Sequence, residues 1–246
     1  MEVSVIASGS NGNSCLVEHK NTAVLVDAGK SAREIESRLD NLGKSMDHVD
    51  AVLLTHGHSD HSQSIGVLSR RYNIPVFMTK DVADHIAEKL GRVQVRTFSK
   101  TRNFRIKDMK IKPISTLHDV PSCGFLIENF GLFTDTGTIT RQMLDSMKKL
   151  KGILLESNHD IDMLLNGRYP HFLKHRIMSD NGHLNNFDAS TFIHEKNNGL
   201  AWVLLGHLSA NNNTKELVKQ TFETIVKRKI DYSVLSREKE SGVWEI

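Results

Sequence analysis

Val49-Asp50-Ala51-Val52-Leu53-Leu54-Thr55-His56-Gly57-His58-Ser59-Asp60-His61 is the stretch whose reading decides the fold. Its first half is largely apolar and reads as a buried strand. Its second half sets three imidazoles and a carboxylate in the pattern H-x-H-x-D-H. Alternate residues of an extended or tightly turned loop project to one side, so His56 and His58 can grip one ion together. Asp60 and His61 are left to face a second ion close by. Imidazole nitrogen with carboxylate oxygen suits zinc, manganese or iron rather than calcium or magnesium.

Composition bounds what such a loop can serve. The chain has 246 residues and a hydrophobic share of 39%, enough for an ordinary core. No repeat, low-complexity run or Pro/Gly/Ser-rich linker divides it, so a single domain over 1–246 is expected. The formal net charge of +3 is compatible with a phosphate-bearing substrate without establishing one. Met1-Glu2-Val3-Ser4 lacks a basic and apolar leader, and no apolar stretch reaches membrane-spanning length. A cytoplasmic location without a membrane partner is therefore expected. Cys15 and Cys123 lack C-x-x-C spacing and read as buried thiols rather than a disulfide or ligand pair.

Working outward, strands are expected at 3–7, 15–18 and 23–27. A helix follows from Ser31, with Glu34 completing a capping box. Residues 62–72 read as a helix and 75–79 as a strand. A further helix capped by Asp81 buries Val82, Ile86 and Leu90 and ends at Gly91. Strands then dominate at 93–98, 104–115, 123–128 and 131–134. Helices return near 140–150, 159–166, 170–178, 187–197 and 214–229, separated by strands at 152–155, 201–205 and 232–235. Two strand-rich blocks with helices at both flanks predict an α/β fold, a four-layer αββα sandwich.

Two ions need more ligands than one loop supplies. Polar residues just past apolar strands are where α/β proteins place functional groups. Asp27, His118, Asp135 and His207 occupy such positions. Singly each reads as a turn residue; with the histidine loop they complete two sites.

Asp27, the H-x-H-x-D-H loop, His118, Asp135 and His207 together resemble the five signatures of the metallo-β-lactamase superfamily, in order. The resemblance implies the αββα sandwich with a centre of two divalent transition-metal ions, zinc or manganese, with iron admissible. It implies that His56, His58 and His118 hold one ion, that Asp60, His61 and His207 hold the other, and that Asp135 bridges them. It also makes Asp27 the carboxylate that orders the histidine loop by hydrogen bonds.

Two further segments narrow the chemistry to phosphodiester hydrolysis. Leu155-Glu156-Ser157-Asn158-His159-Asp160 and Gly182-His183-Leu184-Asn185-Asn186 resemble elements of the tRNA 3′-processing nucleases. There the histidine protonates the leaving oxygen and the glutamate orients it, which the resemblance carries to His183 and Glu156. The chain departs from those enzymes at Ser157-Asn158 and Leu184-Asn185-Asn186 and lacks their tRNA-clamping arm. Too few residues separate Asp135 from His207 for the inserted domain of β-CASP nucleases. Ser8-Gly9-Ser10-Asn11-Gly12-Asn13-Ser14, Tyr169-Pro170, Gly206-His207-Leu208-Ser209 and Asn212-Asn213 complete a resemblance to the YycJ/WalJ group. It implies a 5′→3′ exonuclease with DNA as its partner; in a two-ion centre Asp60 can accept a hydrogen bond from the attacking water and aim it. An RNA-processing nuclease, or a phosphodiesterase for cyclic nucleotides or alkyl phosphates, would use the same centre. Ser62-Gln63-Ser64 replaces the Gly-Gly pair of glyoxalase-type thioesterases, and His58 replaces the glutamate of flavodiiron-type oxidoreductases.

Residues 8–14 admit two readings. Gly9 and Gly12 can turn N–H groups inward as a phosphate nest, with Ser8, Ser10, Asn11 and Asn13 as donors. The same composition suits a tight turn between strands. Arg168, Lys174, His175 and Arg176 can likewise follow a nucleic-acid backbone or form a solvated helix face.

Overall fold

The computed structural model describes residues 1–197 and 199–246. The chain forms two compact units, one from residues 1–113, 120–122 and 236–246, the other from 114–119 and 123–235. Neither unit is a single run of sequence.

The first unit opens with β1 (Glu2–Ala7), β2 (Ser14–His19) and β3 (Thr22–Val26), joined antiparallel. After α1 (Ala32–Asn41), β4 (Ala51–Leu53) pairs parallel with β3. The short α2 (Ser59–Ser62) and α3 (Ile65–Tyr72) lead to β5 (Val76–Thr79), and α4 (Lys80–Leu90) leads to β6 (Val95–Phe98). Both strands extend the sheet in parallel, as helical crossovers require. β7 (Phe104–Ile106) and β8 (Met109–Ile114) form a hairpin.

Ser31 caps α1 as expected, accepting from the Glu34 N–H at 3.2 Å. The apolar faces of α1, α3 and α4 meet the sheet through Ile35, Leu39, Leu68, Val82 and Ile86 against Leu25, Val52 and Val76. Each such side chain contributes about 1.5–3 kcal/mol when fully buried. All five residues of β3 are buried, so the strand is covered on both faces and reads as a continuous apolar run.

In the second unit β9 (Gly124–Ile127) and β10 (Phe130–Phe133) are antiparallel. α5 (Arg141–Ser146) then leads to β11 (Gly152–Glu156), parallel to β10. α6 (Ile161–Asn166), α7 (His171–Met178) and α8 (Asn186–Lys196) precede β12 (Trp202–Gly206). α9 (Lys215–Ile225) leads to β13 (Asp231–Val234), and β11, β12 and β13 continue in parallel. Met143, Phe192, Ile193, Val218 and Phe222 bring α5, α8 and α9 onto Phe133, Ile153, Leu155, Val203 and Leu205. The chain finally returns to the first unit, where β14 (Gly242–Glu245) pairs antiparallel with β1.

Several boundaries differ from the sequence reading. The helix expected over 62–72 is two helices, because the Ser64 N–H and hydroxyl both turn to the Ala28 carbonyl, at 3.0 and 3.2 Å. The strand expected over 104–115 is a hairpin turning at Lys107, whose φ is 47°. Thr79, not Asp81, caps α4 by accepting from the Val82 N–H. β14 was not expected, since its alternating exposure and single tryptophan give a weak signal.

Candidate functional site

In each unit the polar residues sit past the carboxyl ends of parallel strands, where α/β sheets place ligands. Three of them, Asp27 (φ 60°), Asp135 (φ 57°) and His207 (φ 55°), turn the chain through the left-handed region at the exits of β3, β10 and β12. That conformation costs about 1–3 kcal/mol at a non-glycine residue and clusters at functional sites.

In the first unit, Asp27 is buried and accepts from the Thr55 N–H at 2.8 Å, the Thr55 hydroxyl at 2.9 Å and His61 Nδ1 at 2.7 Å. Burial pushes its carboxyl up from the ordinary range, against the opposing pull of His61 and Thr55. Because Asp27 accepts at Nδ1, His61 presents a lone pair at Nε2, which lies 3.5 Å from Asp60 Oδ2. The Thr55 hydroxyl spends its proton on Asp27 and so accepts from His56 Nδ1 at 3.0 Å. That turns the His56 Nε2 lone pair toward His58 Nδ1, 3.1 Å away. Two nitrogens bound to one tetrahedral zinc at 2.0–2.1 Å lie about 3.3 Å apart. The pair therefore fits a shared transition-metal ion.

The loop over 8–14 supports this arrangement from behind. Asn13 is buried and its side chain is tied to the Gly9 backbone and to His61 Nε2 at 2.9 Å, while Ser8 is buried and Ser10 and Asn11 are exposed. Backbone bonds lash three segments together: the Asn13 N–H to Asp60 O, the Ala28 N–H to His61 O and the Gly29 N–H to Asn13 O. Gly29 makes this approach possible, since a Cβ there would lie 1.6 Å from the Asp60 carbonyl oxygen. Gly29→Ala is expected to destabilise the protein by about 3 kcal/mol, the upper end of what overpacking costs, because the atom met is backbone. A melting midpoint within a degree of wild type in thermal denaturation would contradict it.

The second unit gathers His118, Asp135, Glu156, His183 and His207. In-register pairing of β10, β11 and β12 puts three of these at one edge. His118 Nδ1 lies 3.3 Å from the Gly182 carbonyl, and its Nε2 lies 3.2 Å from Asp119 Oδ1 and 3.8 Å from Asp135 Oδ1. Asp135 Oδ2 is 3.0 Å from His207 Nδ1. Burial pulls the His207 imidazole down, but Asp135 and then Glu156 outweigh it, and the net direction is up. Glu156 is fully buried, accepting from the Thr136 N–H at 3.0 Å and from His183 Nδ1 at 2.7 Å. His183 stays partly exposed, its side chain 23% accessible. Ligand atoms of Asp135, Glu156, His183 and His207 all lie within 4.8 Å of one another, close enough to hold a divalent ion.

A buried amide network, for which the sequence alone predicts no role, adds to this. Asn186 donates to Asn213 Oδ1 and accepts from the Ser157 hydroxyl, while Asn158 donates to the His207 carbonyl. These bonds register the loops carrying Glu156, His183 and His207. Asparagines in loops read as turn formers, so only their density hinted at this. His159 is also buried, and neither ring nitrogen has a hydrogen-bond partner among the described residues. Burial pulls its imidazole down to about 4 despite the Glu156 carboxylate. The unfolded chain takes up this proton near pH 6.5 and the folded one only near 4, so stability falls as pH drops through that window. His159 alone is expected to remove about 3 kcal/mol between pH 6.5 and 4. Denaturant titrations of wild type and His159→Gln would show equal pH slopes if this is wrong.

The strand-exit carboxylates and imidazoles define a metal-dependent hydrolase of the metallo-β-lactamase fold. Residues 22–202 match the family described as the β-lactamase superfamily domain. The chain is 37% identical over 229 residues to the exodeoxyribonuclease WalJ of Streptococcus pneumoniae, covering 89% of this chain and 85% of that protein. It is 33% identical over 238 residues to the exodeoxyribonuclease YycJ of Bacillus anthracis, covering 93% and 90%. The metallo-β-lactamase fold protein YhfI of Bacillus subtilis superposes with a TM-score of 0.78 at 18% identity, over 99% of this chain and 98% of that one. This chain therefore belongs to the β-lactamase superfamily and, within it, to the WalJ/YycJ family. No helix among the described residues is long and apolar enough to cross a membrane.

Proposed function

We propose that this protein is a metal-dependent exodeoxyribonuclease that degrades DNA from the 5′ end with two divalent transition-metal ions, zinc or manganese. The observation that carries the reading is the 2.7 Å pair of buried Glu156 and partly exposed His183 beside Asp135 and His207, in a chain 37% identical to a named exodeoxyribonuclease. A thioester or lactam hydrolase has no need of that pair. His56, His58 and His118 would hold one ion, Asp60, His61 and His207 the other, and Asp135 would serve both. Bound ions of this kind supply Lewis acidity at the phosphate and a nucleophile at neutral pH.

The protein's own groups do the rest. Asp60 orients the attacking water by accepting its hydrogen bond. Glu156 accepts from His183 Nδ1, so the imidazole turns Nε2 outward, poised to give a proton to the leaving 3′-oxygen. Asp27 and Thr55 keep His56 and His61 in the tautomers that coordination requires. The setting we propose is cytoplasmic, consistent with two buried cysteine thiols.

The test is purified protein with manganese or zinc on single-stranded and duplex DNA labelled at either end, with bis-p-nitrophenyl phosphate alongside. Mononucleotide release from the 5′ end is expected. Turnover confined to cyclic nucleotides or alkyl phosphates would move the assignment to a small-molecule phosphodiesterase. Cleavage confined to RNA would move it to an RNA-processing nuclease.

A further inference from the structure

α7 serves neither the core nor the ligand set. It is the one eight-residue-or-longer helix among the described residues with no buried position. Such a helix ordinarily turns charge outward. Here Phe172 is 74% exposed, the highest value among the exposed large hydrophobics of the described residues. His175 and Arg176, three and four positions on, share its face. No acidic residue lies between Asp162 and Asp180, a span that holds Arg168, Lys174 and Arg176 as well as two histidines.

The helix is nonetheless held firmly. Lys174 Nζ donates to the Leu165 carbonyl at 2.6 Å, and Arg176 is paired with Asp119. The His183 N–H donates to the Ile177 carbonyl at 2.9 Å. Phe172 thus stands about 7.5 Å along the helix axis from the residue that supports the proton donor, a distance of about two stacked nucleotides.

We propose that α7 and the preceding Arg168 dock the single-stranded end of a nucleic acid, with Phe172 stacking on a base and Arg168 neutralising a backbone phosphate. The inference deepens the nuclease reading and rests on it. A duplex hides its base faces, whereas a frayed or single-stranded end offers them to an exposed ring, and exposed Arg168 with Lys174, bonded among the described residues only to a neutral carbonyl, supplies charge for a polyanion. Phe172 has no packing role that would explain an exposed phenyl ring.

Fluorescence anisotropy with a labelled oligothymidylate and metal-free protein tests this without turnover. Phe172→Ala is expected to raise Kd about tenfold, within the range of base–aromatic stacking, and Phe172→Trp to restore it. Arg168→Ala should lower the slope of log K against log salt by about 0.7, the value for one phosphate contact on a single strand. In turnover, the ratio of the oligonucleotide KM to the bis-p-nitrophenyl phosphate KM should rise about tenfold in Phe172→Ala. Unchanged binding in Phe172→Ala, or no measurable oligonucleotide binding by wild type, would overturn the proposal. The two readings fail separately. Cleavage of DNA with an unchanged KM in Phe172→Ala keeps the nuclease and removes the docking surface. Phe172-dependent binding by a protein that cleaves no nucleic acid keeps the surface and removes the nuclease.

Discussion

His183→Ala is expected to slow hydrolysis of nucleic acid by about 10²–10⁴-fold, the usual worth of a positioned general acid, while metal content stays at the wild-type value. The expectation follows from an asymmetry in the second unit. Glu156 is fully buried and binds His183 Nδ1 at 2.7 Å, so the ring is steered from the inside and carries its exchangeable proton on the accessible side. A 3′-oxygen must be protonated as it leaves; p-nitrophenolate need not be. On bis-p-nitrophenyl phosphate the deficit should therefore shrink to about tenfold or less, since the general-acid contribution is what has been removed. Glu156→Gln should fall between wild type and His183→Ala. Its amide oxygen can still accept from the Thr136 N–H, while its NH₂ faces His183 and keeps the ring placed without the carboxylate's charge. Proximity alone would also allow His183 to be a ligand, because its Nδ1 lies 4.0 Å from Asp135 Oδ1. Metal analysis of His183→Ala separates the two roles: lost metal, or equal loss with both leaving groups, would end the acid assignment.

What could be read in advance was local in sequence. The histidine loop spans seven consecutive residues, so its spacing alone marks it as a candidate for coordination, and the strand-exit positions of Asp27, Asp135 and His207 follow from apolar runs that end in a polar residue. Their left-handed backbone was not legible, because Asp and His tolerate that region without a glycine to mark it. The same holds for Lys107, whose positive φ turned an expected long strand into a hairpin. The role of Thr55 was invisible for another reason: its hydroxyl matters only because β3 and β4 pair in parallel and bring Asp27 to it. Asn13 offered a signal that pointed two ways. A Ser/Gly/Asn loop suits a phosphate nest, yet this side chain is buried and bound to Gly9 and His61. Asn213 bonds the Asn186 side chain at the start of α8 and the Asn158 carbonyl, while the Asn158 amide bonds the His207 carbonyl, a long-range fact that no window of sequence contains.

Asp135 carries the largest expected effect on metal. Asp135→Ala should cut bound metal from about two equivalents to below one and abolish turnover of nucleic acid and aryl phosphodiester alike, since one carboxylate is proposed to serve both ions. Alanine confounds the result, because φ at this position is 57° and a Cβ without a hydrogen-bonding group is poorly tolerated there. Asp135→Asn is the better probe: it keeps the shape and the tolerance of the left-handed region and removes only the charge. It should leave the apoprotein folded with a melting midpoint near wild type, yet lose metal and activity. Asp135→Gly is the poorer probe, because it relieves the backbone conformation but also removes the buried Asp135–His207 pair at 3.0 Å, two effects of opposite sign. If Asp135→Asn keeps two equivalents of metal and wild-type turnover, the carboxylate bridges nothing, and the strained turn at the end of β10 needs another explanation.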